Sequence, residues 1–205
     1  GNPACNPRWP FADFGDLIAS GPQNGLYKPA TSYGTGTPIV RIDAYQTGET
    51  IDLNELKRVD LAEHEIRLYG LTEGDFLINR VNSRSHLGKS TIVPKLAEPT
   101  VFESNMMRFQ MNQTMVDPLY ALHFLQTPYL NAQIQKQAKH ASNQSSINQD
   151  DVKGFRTLLP PLPLQRRFAD LVRGHERLRA MQRESLRQAE SVFAAILHES
   201  SEKMQ

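Results

Sequence analysis

The sequence is poor in cysteine, which limits the covalent and metal chemistry it can support. Cys5 is the single cysteine among 205 residues. The chain therefore has no internal disulfide and no zinc site built on cysteines. Its six histidines show no metal-ligand spacing such as i, i+4 with an acidic neighbour. We expect no metal centre.

Long apolar runs and an excess of charge are missing too. No apolar stretch reaches the roughly 18 residues of a membrane span, and the chain does not open with a basic region followed by an apolar one. We therefore expect no membrane association and a cytoplasmic location. The net charge is +1 and the pI 8.1, whereas domains held to nucleic acid mainly through phosphates usually have a pI above about 9. DNA binding would need local patches or a partner that supplies charge.

Residues 79–91, NRVNSRSHLGKST, end like a nucleotide-binding P-loop but lack two of its features. The first glycine of a P-loop lets successive backbone N–H groups converge on the phosphates, and Ser83 stands in its place. A helix should follow the Gly-Lys pair, yet residues 91–94, TIVP, indicate a strand that ends at a proline. The segment is therefore not predicted to bind a nucleotide.

Two further motifs resemble catalytic or cofactor sites. Residues 117–120, DPLY, resemble the Asp-Pro-Pro-Tyr motif with which amino-methyltransferases grip a flipped base, but Leu119 replaces the second proline. Asp117 before Pro118 is also an ordinary helix start. Residues 33–36, YGTG, lead into a strand instead of a helix whose N-terminus could meet a charged ligand, so we interpret them as a turn. No catalytic residue is predicted.

The first half of the chain has a β-rich pattern and the second half a helical one. Strands are predicted over residues 37–42, 74–79 and 105–111, and a helix-like piece over residues 11–18. Helices are predicted to start at Pro118 and at Thr127-Pro128. Residues 140–149 lack an apolar period and predict a loop, Asp150 or Asp151 can cap a short turn, and residues 156–159 predict a short strand.

Residues 164–203 contain no proline and only one glycine, Gly174, and predict a single long helix. At about 1.5 Å per residue it would be roughly 60 Å long. Mostly apolar residues that recur at alternating steps of four and three residues define one narrow stripe, which predicts packing against a partner helix. The stripe contains Leu164, Phe168, Leu171, His175, Leu178, Gln182, Ser185, Ala189, Val192 and Ile196. Arginines flank it, and we leave open whether they form a solvated face or meet an acidic or phosphate partner.

Three stretches resemble the DNA specificity subunits of type I restriction-modification systems. Residues 20–45, SGPQNGLYKPATSYGTGTPIVRIDAY, resemble the family's opening Gly-rich loop and Ile-Arg-Ile strand. Residues 71–93, LTEGDFLINRVNSRSHLGKSTIV, match its Gly-Asp strand, Asn-Arg-x-Asn-Ser turn and Gly-Lys strand. Residues 145–172, SSINQDDVKGFRTLLPPLPLQRRFADLV, match its junction, with Ile147, Leu-Pro-Pro-Leu and Gln165 in place. The similarity covers nearly the whole chain from Trp9.

The resemblance implies an α+β fold and a protein that performs no chemistry itself. A β-rich target recognition domain with short helices would span residues 9–160, and one long C-terminal coiled-coil helix would occupy residues 161–203. Such a protein reads double-stranded DNA and holds methyltransferase subunits over the target adenine. Those subunits bind S-adenosylmethionine, so no cofactor is expected on this chain. A restriction subunit is the third expected partner.

The candidate DNA contacts carry amide, hydroxyl, cationic or aromatic groups on predicted loops, the mixture that base edges and phosphates require. They are Asn79, Arg80, Asn82, Ser83, Arg84, Lys89, Lys139, Gln144, Ser146, Tyr27 and Lys28. Asn79, Asn82 and Ser83 have an alternative role, which is to cap their own turn. The polar stretch also offers Lys136, Ser142 and Asn143, with a disordered linker as its alternative interpretation.

Complete subunits of the family carry two recognition domains and two long helices, whereas each motif occurs once here. We therefore expect a half-length subunit or half of a longer one, whose helix pairs antiparallel with a second copy. The expected pairing residues are Phe168, Leu171, Leu178, Val192 and Ile196. Identical copies would read two inverted half-sites. One alternative is the C-terminal recognition part of a fused DNA methyltransferase or endonuclease. A coiled-coil scaffold without DNA contact would leave the polar loops unexplained.

Overall fold

The computed structural model describes residues 9–45, 50–140 and 144–202, without the side chains of His140 and of residues 195–202. The chain divides into two compact units, Gly1–Gln165 and Arg166–Gln205. Each unit is described by itself. The α+β class with one long C-terminal helix, expected from the sequence, is confirmed.

The described part of the chain contains twelve short strands in four sheets. The strands are β1 Phe11–Asp13, β2 Ile18–Asn24, β3 Tyr33–Val40, β4 Lys57–Val59, β5 Phe76–Asn79, β6 Val81–Asn82, β7 Ser90–Ile92, β8 Val101–Phe102, β9 Met106–Met111, β10 Lys139–His140, β11 Ser145–Ser146 and β12 Arg156–Leu158. The sheet orders are β1-β12, β10-β11-β6, β2-β9-β5-β7 and β4-β3-β8. Antiparallel pairing prevails, and only β3 and β8 run parallel among these strands.

Five α-helices and two 3-10 helices accompany the strands in the described residues. The α-helices are α1 Glu63–Tyr69, α2 Pro118–Leu125, α3 Pro128–Gln137, α4 Gln149–Lys153 and α5 Leu162–Glu202, and the 3-10 helices are Phe14–Leu17 and Ala30–Ser32. As predicted, Asp117 caps α2, because its carboxylate accepts the N–H groups of Leu119 and Tyr120. The Thr127 hydroxyl caps α3 in the same way.

The sheet β2-β9-β5-β7 separates two hydrophobic clusters, because successive side chains of a strand point to opposite faces. Phe76 and Ile78 of β5 enter the larger cluster, and Leu77 between them enters the other. In the larger cluster the rings of Phe76 and Phe109 stack at 5.2 Å between centroids, and Phe14 meets Phe109 edge-on. The buried faces of α2 and α3 close this core.

The helix-like piece predicted over residues 11–18 is wrong. Phe11–Asp13 is a strand that pairs with β12, Phe14–Leu17 is a single 3-10 turn, and β2 begins at Ile18. Phe14 and Leu17 are fully buried, which produced the helical spacing in the sequence. The strand pairing joins Phe11 to Leu158, a partner that no local pattern indicates.

Three other local predictions need correction. Residues 33–36 belong to β3, where a register shift between Tyr33 and Thr37 and positive φ angles at Gly34 and Gly36 mark a bulge. The predicted loop over residues 140–149 contains part of β10, all of β11 and the start of α4. Asn148 caps α4 in place of the expected Asp150 or Asp151, and Asp151 completes a capping box with it.

Gln165 lies in the first turn of α5 and is buried there. Its amide donates to the Pro160 carbonyl at 2.7 Å, and its Oε1 accepts the Asp117 N–H at 2.9 Å. Gln165 of the junction motif therefore joins the start of α5 to the residue that caps α2. The whole of α5 is a single continuous helix of 41 residues from Leu162 to Glu202.

Candidate nucleic-acid interface

The segment between β5 and β7 is closed at its base by backbone hydrogen bonds. The Asn79 N–H donates to the Lys89 carbonyl and the Gly88 N–H to the Asn79 carbonyl, each at 2.9 Å. Gly88 has a φ of 77° and lies so close to Ile134 that a Cβ would meet its Cδ1 at 2.4 Å. The Gly-Lys pair thus serves a tight turn, and β7 follows it where a P-loop would require a helix.

A buried tyrosine holds both ends of this segment. The Tyr45 hydroxyl donates to Asn79 Oδ1 at 2.8 Å and lies 3.2 Å from the Lys89 carbonyl. Lys89 Nζ donates to the Ile42 carbonyl at 3.2 Å and sits over the Tyr45 ring. Burial, with Glu103 as a lesser cause, raises the pKa of Tyr45, so its hydroxyl remains a donor.

Asn79 and Lys89 are therefore internal residues in this conformation. Asn79 is fully buried and Lys89 is 7% exposed. Side chains at this depth cannot reach DNA without rearrangement, so the structure gives them a role in shaping the segment. The sequence placed both on an exposed loop because it gave no sign of Tyr45 beneath them.

The tip of the segment is exposed from Ser83 to His86. Asn82 Oδ1 accepts the Ser83 N–H at 2.8 Å, and the Ser83 hydroxyl lies 2.9 Å from His86 Nδ1. These two residues make the local turn contacts that were the alternative to DNA contact. Arg84 is exposed, and its Nε donates to Gln135 Oε1 at 3.1 Å.

Arg80 lies at the edge of the same surface and is half-buried. Its Nη1 donates to the Ser104 carbonyl at 3.1 Å. Its backbone N–H and that of Val81 both donate to the Asn105 carbonyl. Arg80 thus joins the segment to the turn between β8 and β9.

The sheet β10-β11-β6 joins the two polar segments that the sequence identified separately. Ser145 pairs with Asn82 and Ser146 with Val81, while Lys139 pairs with Ser146 on the other side. Lys139 and Gln144 are exposed and Ser146 is half-exposed, and Lys136 is exposed near the end of α3. Ser142 and Asn143 lie outside the described residues. Directly paired residues share one side of a sheet, so Lys139 and Ser146 lie on one side and Asn82 lies on the other with Ser145. We name the polar residues of this sheet and of its flanking segments the β6–β11 face: Asn82, Ser83, Arg84, Lys136, Lys139, Gln144 and Ser146.

Tyr27 and Lys28 are separated from the β6–β11 face by the β8–β9 turn, residues 103–105. Tyr27 is 76% exposed. Lys28 is half-buried and pairs with Glu65 at 2.9 Å, so much of its charge is compensated. Both line a cavity of about 480 Å³ whose wall includes Ser104 and Asn105. The cavity also contains Arg41 and Glu103, which the sequence analysis did not select, since only folding brings two residues 62 apart into an ion pair.

The long helix carries exposed apolar residues along most of its described length. Leu171, Leu178 and Val192 are each at least 60% exposed and Phe168 is 38% exposed. The side chain of Ile196, the fifth expected pairing residue, lies outside the described part. Met181, Leu186 and Phe193 are further exposed apolar residues that lie outside the stripe defined by alternating steps of four and three residues.

Among the described side chains, no group of three or more histidine, cysteine, aspartate or glutamate residues is placed to hold a metal ion. The described helices include none that is both long and apolar enough to cross a membrane.

A β-rich domain with polar loops, followed by a long helix, is also the fold of solved specificity subunits. The chain superposes with a TM-score of 0.59 and 19% identity on a chain from a study of assembly and conformational transition of the type I R-M system, covering 87% of this chain and 41% of that one. For the HsdS subunit from Thermoanaerobacter tengcongensis the TM-score is 0.56 at 19% identity, with 86% and 40% covered. These similarities establish the fold.

Sequence comparison identifies the family. The chain is 32% identical over 157 residues to a type I restriction enzyme MjaX specificity subunit of Methanocaldococcus jannaschii, covering 76% of this chain and 37% of the relative. It is 27% identical over 171 residues to the StySPI specificity subunit of Salmonella potsdam, covering 83% and 36%. No family model matches. The chain belongs to the DNA specificity subunits of type I restriction-modification systems.

Both relatives are named as specificity subunits of type I restriction enzymes. The same names do not favour the alternative of a fused methyltransferase or endonuclease. The chain spans little more than a third of the length of these two relatives.

Proposed function

We propose that this chain recognises a short sequence in double-stranded DNA through the β6–β11 face. The observation that carries the proposal is the pairing of β6 with β11, which brings two polar segments far apart in the sequence next to each other. Arg84, Lys136 and Lys139 supply cations for phosphates, and Asn82, Gln144 and Ser146 supply groups that can meet base edges. Asn79 and Lys89 are left out because they are buried.

The partners in this proposal are those of the family. Methyltransferase subunits with bound S-adenosylmethionine would carry out the reaction, a restriction subunit would complete the complex, and the assembly would act in the cytoplasm. The net charge of +1 supports a shared interface, because acidic residues almost balance the cations that one chain supplies for phosphate neutralisation. Alone, the chain should bind DNA weakly.

The DNA-binding test uses random duplex DNA and a matched pair of lysine variants. At about 50 mM salt, Lys136→Ala/Lys139→Ala should weaken binding severalfold and reduce the salt-dependence slope by nearly two, about 0.9 per lost phosphate contact. Lys95→Ala is the control. Lys95 is exposed, and it follows β7 at the end of the β5–β7 pair away from the candidate segment. Equal affinity and slope for the double variant and wild type would reject this face.

The specificity test requires the assembled complex with methyltransferase subunits. Gln144→Ala should change which members of a randomised DNA library the complex protects while leaving non-specific affinity nearly constant, because an amide reads bases and carries no charge. If the variant protected the same DNA sequences as wild type, Gln144 would not contact a base.

We further propose that α5 pairs with α5 of a second copy in an antiparallel coiled coil. The support is the exposed apolar stripe through Leu171, Leu178 and Val192, which is too narrow for all-round burial and is typical of a helix that meets one partner. Twofold pairing of identical chains would make the DNA target bipartite, with two inverted half-sites. His175, Gln182 and Ser185 would set the register of the pair at some cost in stability.

A further inference from the structure

The cavity beside the β6–β11 face has the size of a small-molecule site but opens next to the proposed DNA surface. Its volume is about 480 Å³, within the range of roughly 300–1,000 Å³ found for organic ligands. The side chains that matter here are Tyr27, Lys28, Tyr33, Arg41, Lys57 and Glu103.

One wall of the cavity is formed by an ion pair beside an aromatic ring. Arg41 Nε donates to Glu103 Oε2 at 3.3 Å, and the Arg41 guanidinium lies 5.8 Å from the centre of the Tyr33 ring. Glu103 is itself held, because its Oε1 accepts the Ile42 N–H at 2.7 Å. Aromatic rings and guanidinium planes are the surfaces on which proteins stack unpaired bases.

Tyr27 stands at the rim on a well-anchored backbone. The Leu26 N–H donates to the Phe102 carbonyl at 2.9 Å. At Gly25 a Cβ would lie 2.2 Å from the Glu103 carbonyl oxygen, so the chain there is pressed against the β8–β9 turn. The Tyr27 ring is 76% exposed, and its backbone is already held in place. A base could therefore stack on the ring without loss of backbone conformational entropy.

The cavity and the β6–β11 face share the β8–β9 turn. The Ser104 N–H donates to the Leu26 carbonyl on the cavity side, while the Ser104 and Asn105 carbonyls accept Arg80 and Val81 on the other. DNA bound to the face would therefore pass close to the cavity mouth. Lys28 and Arg41 are ion-paired with Glu65 and Glu103, whereas Lys57 is exposed in the lining, and its charge favours a ligand that carries phosphate.

We propose that this cavity receives one nucleobase that has left the base stack of bound DNA, with Tyr27 stacking on it and Lys57 near its phosphate. The proposal rests on the proposed DNA binding and assigns a second, separate contact. A polar lining of Glu103 and Asn105 offers hydrogen-bond acceptors and donors to the edge of the base.

The test compares a perfect duplex with the same duplex carrying one bulged 2-aminopurine, using the full chain at about 50 mM salt. A bulged base needs no unstacking, so wild type should bind the bulged duplex about tenfold more tightly, the size expected for one base on an aromatic side chain. The 2-aminopurine fluorescence should fall on binding. Tyr27→Ala should abolish the preference and the quenching, and Tyr27→Phe, which keeps the ring, should retain both.

The outcomes separate this inference from the function on which it rests. Equal binding of the two duplexes by wild type, with Lys136→Ala/Lys139→Ala weakening both, overturns the cavity proposal and leaves DNA recognition standing. A preference for the bulge that survives Tyr27→Ala also overturns it. Failure of wild type to bind either duplex rejects both. Tyr27 is exposed, so its variants should fold as wild type, which thermal unfolding will verify.

Discussion

At the scale of the residue, Tyr45 links the hydrophobic core to the segment proposed to contact DNA. One hydroxyl lies within hydrogen-bonding distance of Asn79 Oδ1 and of the Lys89 carbonyl, the two residues at which the segment leaves and rejoins the sheet. Leaving a buried acceptor without its donor costs more than a net hydrogen bond contributes. The conformation of the exposed tip therefore depends on a group that never touches the surface.

A pair of tyrosine substitutions tests this role. Tyr45→Phe should lower the free energy of unfolding by about 1–3 kcal/mol, because Asn79 Oδ1 loses its donor in a buried site. Tyr27→Phe removes the same hydroxyl from an exposed side chain and should change it by less than about 0.5 kcal/mol. Urea unfolding at neutral pH measures both. Equal effects for the two variants would contradict a structural role for the Tyr45 hydroxyl.

At the scale of the element, the turn before β7 depends on Gly88. Its left-handed backbone is disfavoured for other residues, and the side of Ile134 in α3 occupies the space where a Cβ would stand. The turn is thereby packed against the helix whose Gln135 also contacts Arg84. One glycine sets both the return of the chain into β7 and the distance from the segment to α3.

Two glycine-to-alanine substitutions should have opposite signs. Gly88→Ala should destabilise the chain by about 1–2 kcal/mol, because alanine disfavours the left-handed conformation. Gly174→Ala, in α5 with open space around it, should stabilise the helix by up to about 1 kcal/mol. Thermal unfolding of both variants measures the difference. A neutral Gly88→Ala would show that the turn can adopt another backbone.

At the scale of the whole molecule, the long helix presents a surface that the described chain leaves exposed. Leu171 and Leu178 are each more than 60% exposed. Their transfer from water on pairing would contribute on the order of 25 cal/mol per Å² of buried apolar area. We propose an assembly of two chains as the working form, and a target with two half-sites would follow from it.

Paired substitutions on opposite faces of α5 test the assembly. Leu171→Asp/Leu178→Asp should leave a folded monomer that no longer supports methylation with methyltransferase subunits, because the charges would be buried in the pair. Ala180→Asp/Ala194→Asp places the same charges about opposite the stripe and should remain dimeric. Sedimentation at tens of micromolar reports the state. A wild-type chain that sediments as a monomer at that concentration would contradict the proposed homodimer.

Local chemistry determined much of this protein before folding is considered. The caps at Asp117 and Thr127, the strand after Gly88–Lys89, the absence of proline from the long helix after Pro163 and its apolar stripe all depend on near neighbours in the chain. Those features, with the matching family motifs, were enough for the α+β class and the family.

Tertiary structure alone decided which polar residues are available at the surface and which of them lie together. Asn79 and Lys89 have the composition of contact residues but are buried around Tyr45, whereas Lys139 and Ser146 lie beside β6 through a strand pairing. The pairing of Phe11 with Leu158 and the ion pair of Arg41 with Glu103 are equally non-local. Burial and strand pairing depend on how distant segments pack in three dimensions. A local pattern of residues does not determine which distant segments will come into contact.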